Sequence, residues 1–170
     1  NPWGGSQITG TNVPWWNDRN SIQHIVIEDG VTSIGDYAFY WLWADTSNVV
    51  DISIPASVKS IGDYAFNNCL CGAATENATI SLRGVESIGE QAFYNCTGLT
   101  SIVIPDTVTD LGASTFYACS GLKSVTIGTG VTELKKWVFR ECTALETVTF
   151  KAGSAVSAIK GSVFEKCNAI

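Results

Sequence analysis

The sequence predicts an α/β repeat fold, a right-handed solenoid with short parallel β-strands on one face and short helical turns on the other. Three observations carry the prediction. Phe39, Phe66, Phe93, Phe116, Phe139 and Phe164 fall 27, 27, 23, 23 and 25 residues apart, and each closes a similar phrase, such as IVIEDGVTSIGDYAF or VTIGTGVTELKKWVF. Three residues after each Phe stands Leu42, Cys69, Cys96, Cys119, Cys142 or Cys167, so five of the six cysteines share one repeat position. Within one unit the apolar spacing changes from a strand period to a helical one.

Residues 1–21 form a Trp-rich cap segment, in which Trp3, Trp15 and Trp16 are expected to cover the apolar edge that a first repeat exposes. Residues 22–170 hold six units, the last one truncated. In the fourth unit Leu99, Ile102 and Ile104 have the spacing Leu-x-x-Ile-x-Ile. The two isoleucines face one side of a strand, and Ser101 and Val103 face the other. After Pro105 and Asp106, the residues Leu111, Thr115, Phe116 and Cys119 recur at i, i+4, i+5 and i+8, the spacing of one helical face. Ile61, Ala65, Phe66 and Cys69 repeat that pattern in the second unit. Units of roughly 20–29 residues with one strand and one short second element make a leucine-rich-repeat kind of solenoid. Stacked at about 4.8 Å, six units measure about 29 Å, and equivalent side chains lie above one another as ladders.

Charged residues make up 15% of the chain, against 45% hydrophobic and 11% aromatic residues, which is ample apolar surface for a folded core. Ten basic and sixteen acidic residues give a net charge of -6, which argues against nucleic acid and against an anionic membrane surface. No apolar run approaches the roughly 18 residues of a membrane span. The chain starts at Asn1 and has no methionine, so it reads as a processed piece of a longer chain. At the other end Ile170 falls inside a unit, which points to a longer parent or to association through that edge.

A disulfide framework has no reason to place five cysteines at one repeat position, so they read as a buried ladder of small apolar groups. Cys71 lies outside the register, as either an exposed or an engaged thiol. A zinc site through Cys69 and Cys71 lacks its remaining ligands in a chain with one histidine. That histidine, His24, has no nucleophile-and-base arrangement with its neighbours Gln23 and Glu28. Gly35, Gly62, Gly89 and Gly112 occupy the repeat's own glycine position, where a missing side chain permits tight chain reversal; no phosphate-cradling pattern occurs. The expectation is therefore no catalytic, cofactor-binding or metal residues and no cofactor.

The phrases VIEDGVTSIGDYAFYWL, SIPASVKSIGDYAFNNC and SIVIPDTVTDLGASTFYACSGLKSV resemble the BspA-type, or treponemal-type, leucine-rich repeats, and the likeness runs from Ser21 to Ile170. The resemblance implies a secreted or cell-surface protein of bacterial or protozoan type, with a role in adhesion or in binding a host or matrix protein. It implies no catalytic residue. The pattern departs from regularity where glycine becomes Lys135 and Lys160, where Leu42 replaces cysteine, and where Asn77 stands at an inward position.

Three surfaces offer themselves to a partner. The outward side of the strands carries Asp51, Ser53, Thr79, Ser81, Ser101, Val103, Ser124, Thr126, Thr147 and Thr149, a flat and weakly charged carpet that also suits a plain solvated strand. Trp41 and Trp43 fall in an insertion of the first unit; insertions in solenoids form loops, and their rings can anchor a protein or stack on a sugar. Two residues before each Phe come Tyr37, Tyr64, Gln91, Ser114, Trp137 and Ser162, which read as a solvated face. The candidate partner-binding set is Trp41, Trp43, Asp51, Ser53, Ser81, Ser101, Val103 and Thr126. The function expected is a non-enzymatic secreted or cell-surface module that binds a protein. The alternatives are a carbohydrate-binding module that uses the loop tryptophans and a structural spacer within a longer surface protein.

Overall fold

A computed structural model describes residues 15, 17–18, 21–42, 51–71 and 78–170. Trp3, Trp16, Trp43 and Asn77 lie outside the described residues. Each unit supplies two strands and a run of turns. The strands are β1 (His24–Val26), β2 (Ser33–Ile34), β3 (Asp51–Ser53), β4 (Ser60–Ile61), β5 (Ala78–Ile80), β6 (Ser87–Ile88), β7 (Leu99–Ile104), β8 (Asp110–Leu111), β9 (Ser124–Ile127), β10 (Glu133–Leu134), β11 (Thr147–Phe150) and β12 (Ala158–Ile159). The first strands of the units form one parallel six-stranded sheet in the order β1-β3-β5-β7-β9-β11. The second strands form a four-stranded ladder, β2-β4-β6-β8, and a separate pair, β10-β12. The break between β8 and β10 falls where Lys135 replaces the repeated glycine.

The short helical turns expected on the far side are not there: no described residue is helical. In a helix each N–H donates to a carbonyl four residues back in its own segment. Here alternate N–H groups leave the segment for the next unit. Those of Tyr64, Phe66 and Asn68 donate to the carbonyls of Glu90, Ala92 and Tyr94 at 2.9, 2.8 and 2.8 Å. The N–H groups that alternate with them close four-residue turns, Asn67 to Tyr64 at 3.2 Å and Cys69 to Phe66 at 3.0 Å. The residues two before and two after each Phe are left-handed, with φ of 55° and 54° at Tyr64 and Asn68 and 65° and 62° at Trp137 and Glu141. Two left-handed residues in a span this short interrupt any right-handed helix. Leu111, which the helical spacing placed with Phe116 and Cys119, belongs instead to β8. Strand and turn residues converge on one core without sharing a helix.

The repeat does produce the expected ladders. Successive rings from Phe39 to Phe164 stack with centroids 5.1, 5.2, 5.4, 5.6 and 5.7 Å apart and nearly parallel planes. Phe66, Phe93, Phe116 and Phe139 are fully buried. Ile25, Ile52, Ile80, Ile102 and Val125 line the inner side of the six-stranded sheet. Trp15 stacks on Phe39 at 5.6 Å and so closes the first end of the ring ladder.

The glycine row has a different cause from chain reversal. A Cβ on Gly112 would lie 2.4 Å from the carbonyl carbon of Gly89, and one on Gly62 or Gly89 would meet the backbone of the preceding unit at 2.6 Å. The missing side chain lets neighbouring units approach each other.

Candidate functional site

Parallel register turns the outward strand positions into two rows. His24 pairs with Asp51 and Val26 with Ser53. Ile52 pairs with Ile80, and Ile80 with Ile102, so Ser81 lies level with Ser53 and Val103. Backbone pairing then joins Thr79 to Ser101, Ser101 to Ser124, Val103 to Thr126, Ser124 to Thr147 and Thr126 to Thr149. The structure thus assembles Asp51, Ser53, Ser81, Ser101, Val103 and Thr126 on one face. Val26 and Val103 are its large exposed apolar groups, at 66% and 57%. Asp51 is its charged residue among the described residues, and its Oδ1 lies 2.6 Å from Nδ1 of His24.

Trp41 does not join that face. It follows Tyr40 on the turn side, 42% exposed, in left-handed backbone with φ of 56°. Trp43 lies outside the described residues. The turn side of the later units also carries a cluster of ion pairs. Arg140 extends over the rings of Tyr117 and Trp137 at 5.7 and 5.5 Å and reaches Glu165 at 3.0 Å. Lys166 donates to Glu141 at 2.7 Å, and this contact holds the Glu141 carboxyl below its usual range. The Tyr117 phenol is raised, first by burial and then by its hydrogen bond to Glu141.

Each cysteine is a free thiol. The Cys71 thiol is engaged: its Sγ lies 2.7 Å from the Asn95 carbonyl and 3.3 Å from that of Cys69. Burial raises the Cys71 thiol and pushes that of Cys69 far above its usual value. Among the described residues no group of three His, Cys, Asp or Glu side chains is placed to hold a metal ion. No helix among them is long and apolar enough to cross a membrane.

By sequence Tyr37 and Tyr64 read as part of a solvated face. The structure stacks them, with centroids 4.8 Å apart and planes 1° from parallel, and sets Tyr40 edge-on to Tyr37 at 5.5 Å. The signal for this grouping lay in the matching positions of the two tyrosines in consecutive units.

A family model for the BspA-type leucine-rich repeat region matches residues 15–75 and 71–170, with six copies. Among curated proteins none matches the chain. Similar solved structures include a leucine-rich repeat protein of T. pallidum, 27% identical over 87% of this chain and 78% of that one, with a TM-score of 0.58. A leucine-rich cell surface protein of Faecalibacterium prausnitzii is 28% identical, with a TM-score of 0.68 over 88% of this chain and 46% of its own. A leucine-rich repeat protein of Bacteroides ovatus is 26% identical, with a TM-score of 0.53 over 86% of this chain and 47% of its own. The chain therefore spans about half the length of the last two. Six matching copies and the stacked parallel strands lead to one conclusion: the chain belongs to the BspA-type leucine-rich repeat family.

Proposed function

We propose that the chain is a non-enzymatic protein-binding module of a secreted or cell-surface protein, and that it meets its partner through the outward side of the six-stranded sheet. The observation that carries this reading is the alignment of Ser53, Ser81, Val103 and Thr126 in one row beside the row from Asp51 to Thr147. A rigid surface of small side chains loses little conformational freedom on binding, and Val26 and Val103 add apolar area to bury. The cell-surface description of the Faecalibacterium prausnitzii structure supports the location. The fold itself assigns no partner.

The test is surface plasmon resonance against a panel of immobilised host and extracellular-matrix proteins. The chain is expected to bind at least one of them, and the Val103→Arg, Thr126→Arg double variant to lose tenfold or more with an unchanged thermal midpoint. A partner that binds the double variant as tightly as the parent refutes the sheet-face reading. An adhesion phenotype of the full-length protein that no substitution on this face alters would make the chain a spacer.

A further inference from the structure

On the turn side of the first two units, the structure gathers aromatic rings that the sheet-face reading leaves unused. Tyr64 stacks on Tyr37, Tyr37 meets Tyr40, and Tyr40 meets Trp41 edge-on at 5.8 Å and 77°. The three tyrosines are half-buried, and Trp41 is exposed. Asp36 and Asp63 immediately precede Tyr37 and Tyr64, Glu90 continues their row, and all three acids are exposed. Oδ1 of Asp36 accepts the Asp63 N–H at 2.9 Å, and Oδ1 of Asp63 accepts the Glu90 N–H at 2.7 Å. No cation among the described residues pairs with any of the three. The later units differ: Asp106, Asp110, Glu133, Glu141 and Glu165 each form an ion pair with Lys or Arg.

The fold does not require these rings. Trp41 takes a left-handed position that the next two units fill with Asn68 and Asn95, and asparagine tolerates that backbone better than a bulky side chain does. Tyr37 and Tyr64, with φ of 57° and 55°, stand where later units place Gln91, Ser114, Trp137 and Ser162, so an aromatic ring is not a condition of that turn. Large aromatic groups at positions that disfavour them, beside unmatched carboxylates, make a surface suited to a cation. Ring faces attract ammonium and guanidinium groups, and the acids add long-range attraction and orientation.

We propose that this corner docks a cationic segment of a protein, with Lys or Arg side chains seated against Trp41 and Tyr40 and their charge met by Asp36, Asp63 and Glu90. The site lies on the turn side and stands or falls separately from the sheet-face reading.

The test is fluorescence anisotropy of the intact chain with a labelled peptide of alternating Lys and Ser, and with its Glu and Ser counterpart, at near-physiological salt. The informative variants copy the chain's own later units: Trp41→Asn, and Asp36→Ala with Asp63→Ala, matching Asn68 and Ala113. The parent is expected to bind the Lys peptide and not the Glu peptide. Trp41→Asn should weaken binding about three- to tenfold, the loss of a partly desolvated cation–π contact. The Asp pair of substitutions should weaken it further and flatten its salt dependence. Glu146→Gln, which removes an exposed acid of the last unit that pairs with no cation among the described residues, should change affinity by less than about twofold. Absence of Lys-peptide binding overturns the proposal. So does a loss in Glu146→Gln equal to that in the Asp variant with none in Trp41→Asn, since that pattern reports diffuse attraction by net charge. Glycan-array binding that disappears in Trp41→Asn while peptide binding persists would reassign the corner to carbohydrate. Trp41→Asn keeps the test valid should the Asp variant fail to fold.

Discussion

A thiol suits the position after each phenylalanine for a reason beyond its size. The Sγ atoms of Cys96, Cys119, Cys142 and Cys167 donate to the carbonyls of Phe66, Phe93, Phe116 and Phe139, in each case in the preceding unit, at 3.3, 3.1, 3.1 and 3.0 Å. Each rung thus fills space and helps satisfy a buried acceptor. The common repeat position of these cysteines was legible in the sequence; the hydrogen bond was not, because it depends on carbonyls aimed by left-handed turns. Burial pushes the thiols of Cys69, Cys96, Cys119 and Cys142 well above their usual values. A raised value leaves less thiolate at any pH below it, and thiolate is the reactive form. Iodoacetamide at pH 8 should therefore leave these four unlabelled in the folded protein, label half-buried Cys71 slowly, and label all six cysteines after unfolding. Peptide mapping by mass spectrometry checks this, and rapid native labelling of Cys119 would contradict the buried ladder.

At the scale of the element, strands were legible because Leu99, Ile102 and Ile104 alternate with Ser101 and Val103. The turn run was not, for two reasons. Its buried residues Thr115, Phe116 and Cys119 fall at helical spacing from Leu111, although that residue belongs to a strand. Its left-handed positions hold Tyr, Trp, Asn, Gln, Ser, Ala, Glu and Lys, so no glycine marks them. The glycines that do recur serve close approach between units instead. Gly112 and Gly35 occupy the same repeat position, yet a Cβ meets backbone at 2.4 Å on Gly112 and nothing within 4 Å on Gly35. Gly112→Ala should lower stability by about 1–3 kcal/mol through overpacking. Gly35→Ala should change it by less than about 0.5 kcal/mol. Urea unfolding of the two variants distinguishes them, and equal effects would contradict the close-approach account.

For the whole molecule, stability resides in the interfaces between units, because the sheet, the second-strand ladders and the turn run all bond from one unit to the next. Repetition made this architecture readable, since one misread residue is corrected by its equivalents. Function is harder to read for the same reason: Ser101, Ser124 and Thr147 are what either a binding face or a plain solvated strand would carry. Only pairing in register shows that the outward residues form continuous rows. The most direct test is chemical-shift mapping of the isotope-labelled chain with a protein partner recovered from the binding panel. The expected result is perturbation along the rows from Asp51 to Thr147 and from Ser53 to Thr149. Perturbation confined to the turn side, with the amides of β3, β7, β9 and β11 unchanged, would contradict the sheet-face account.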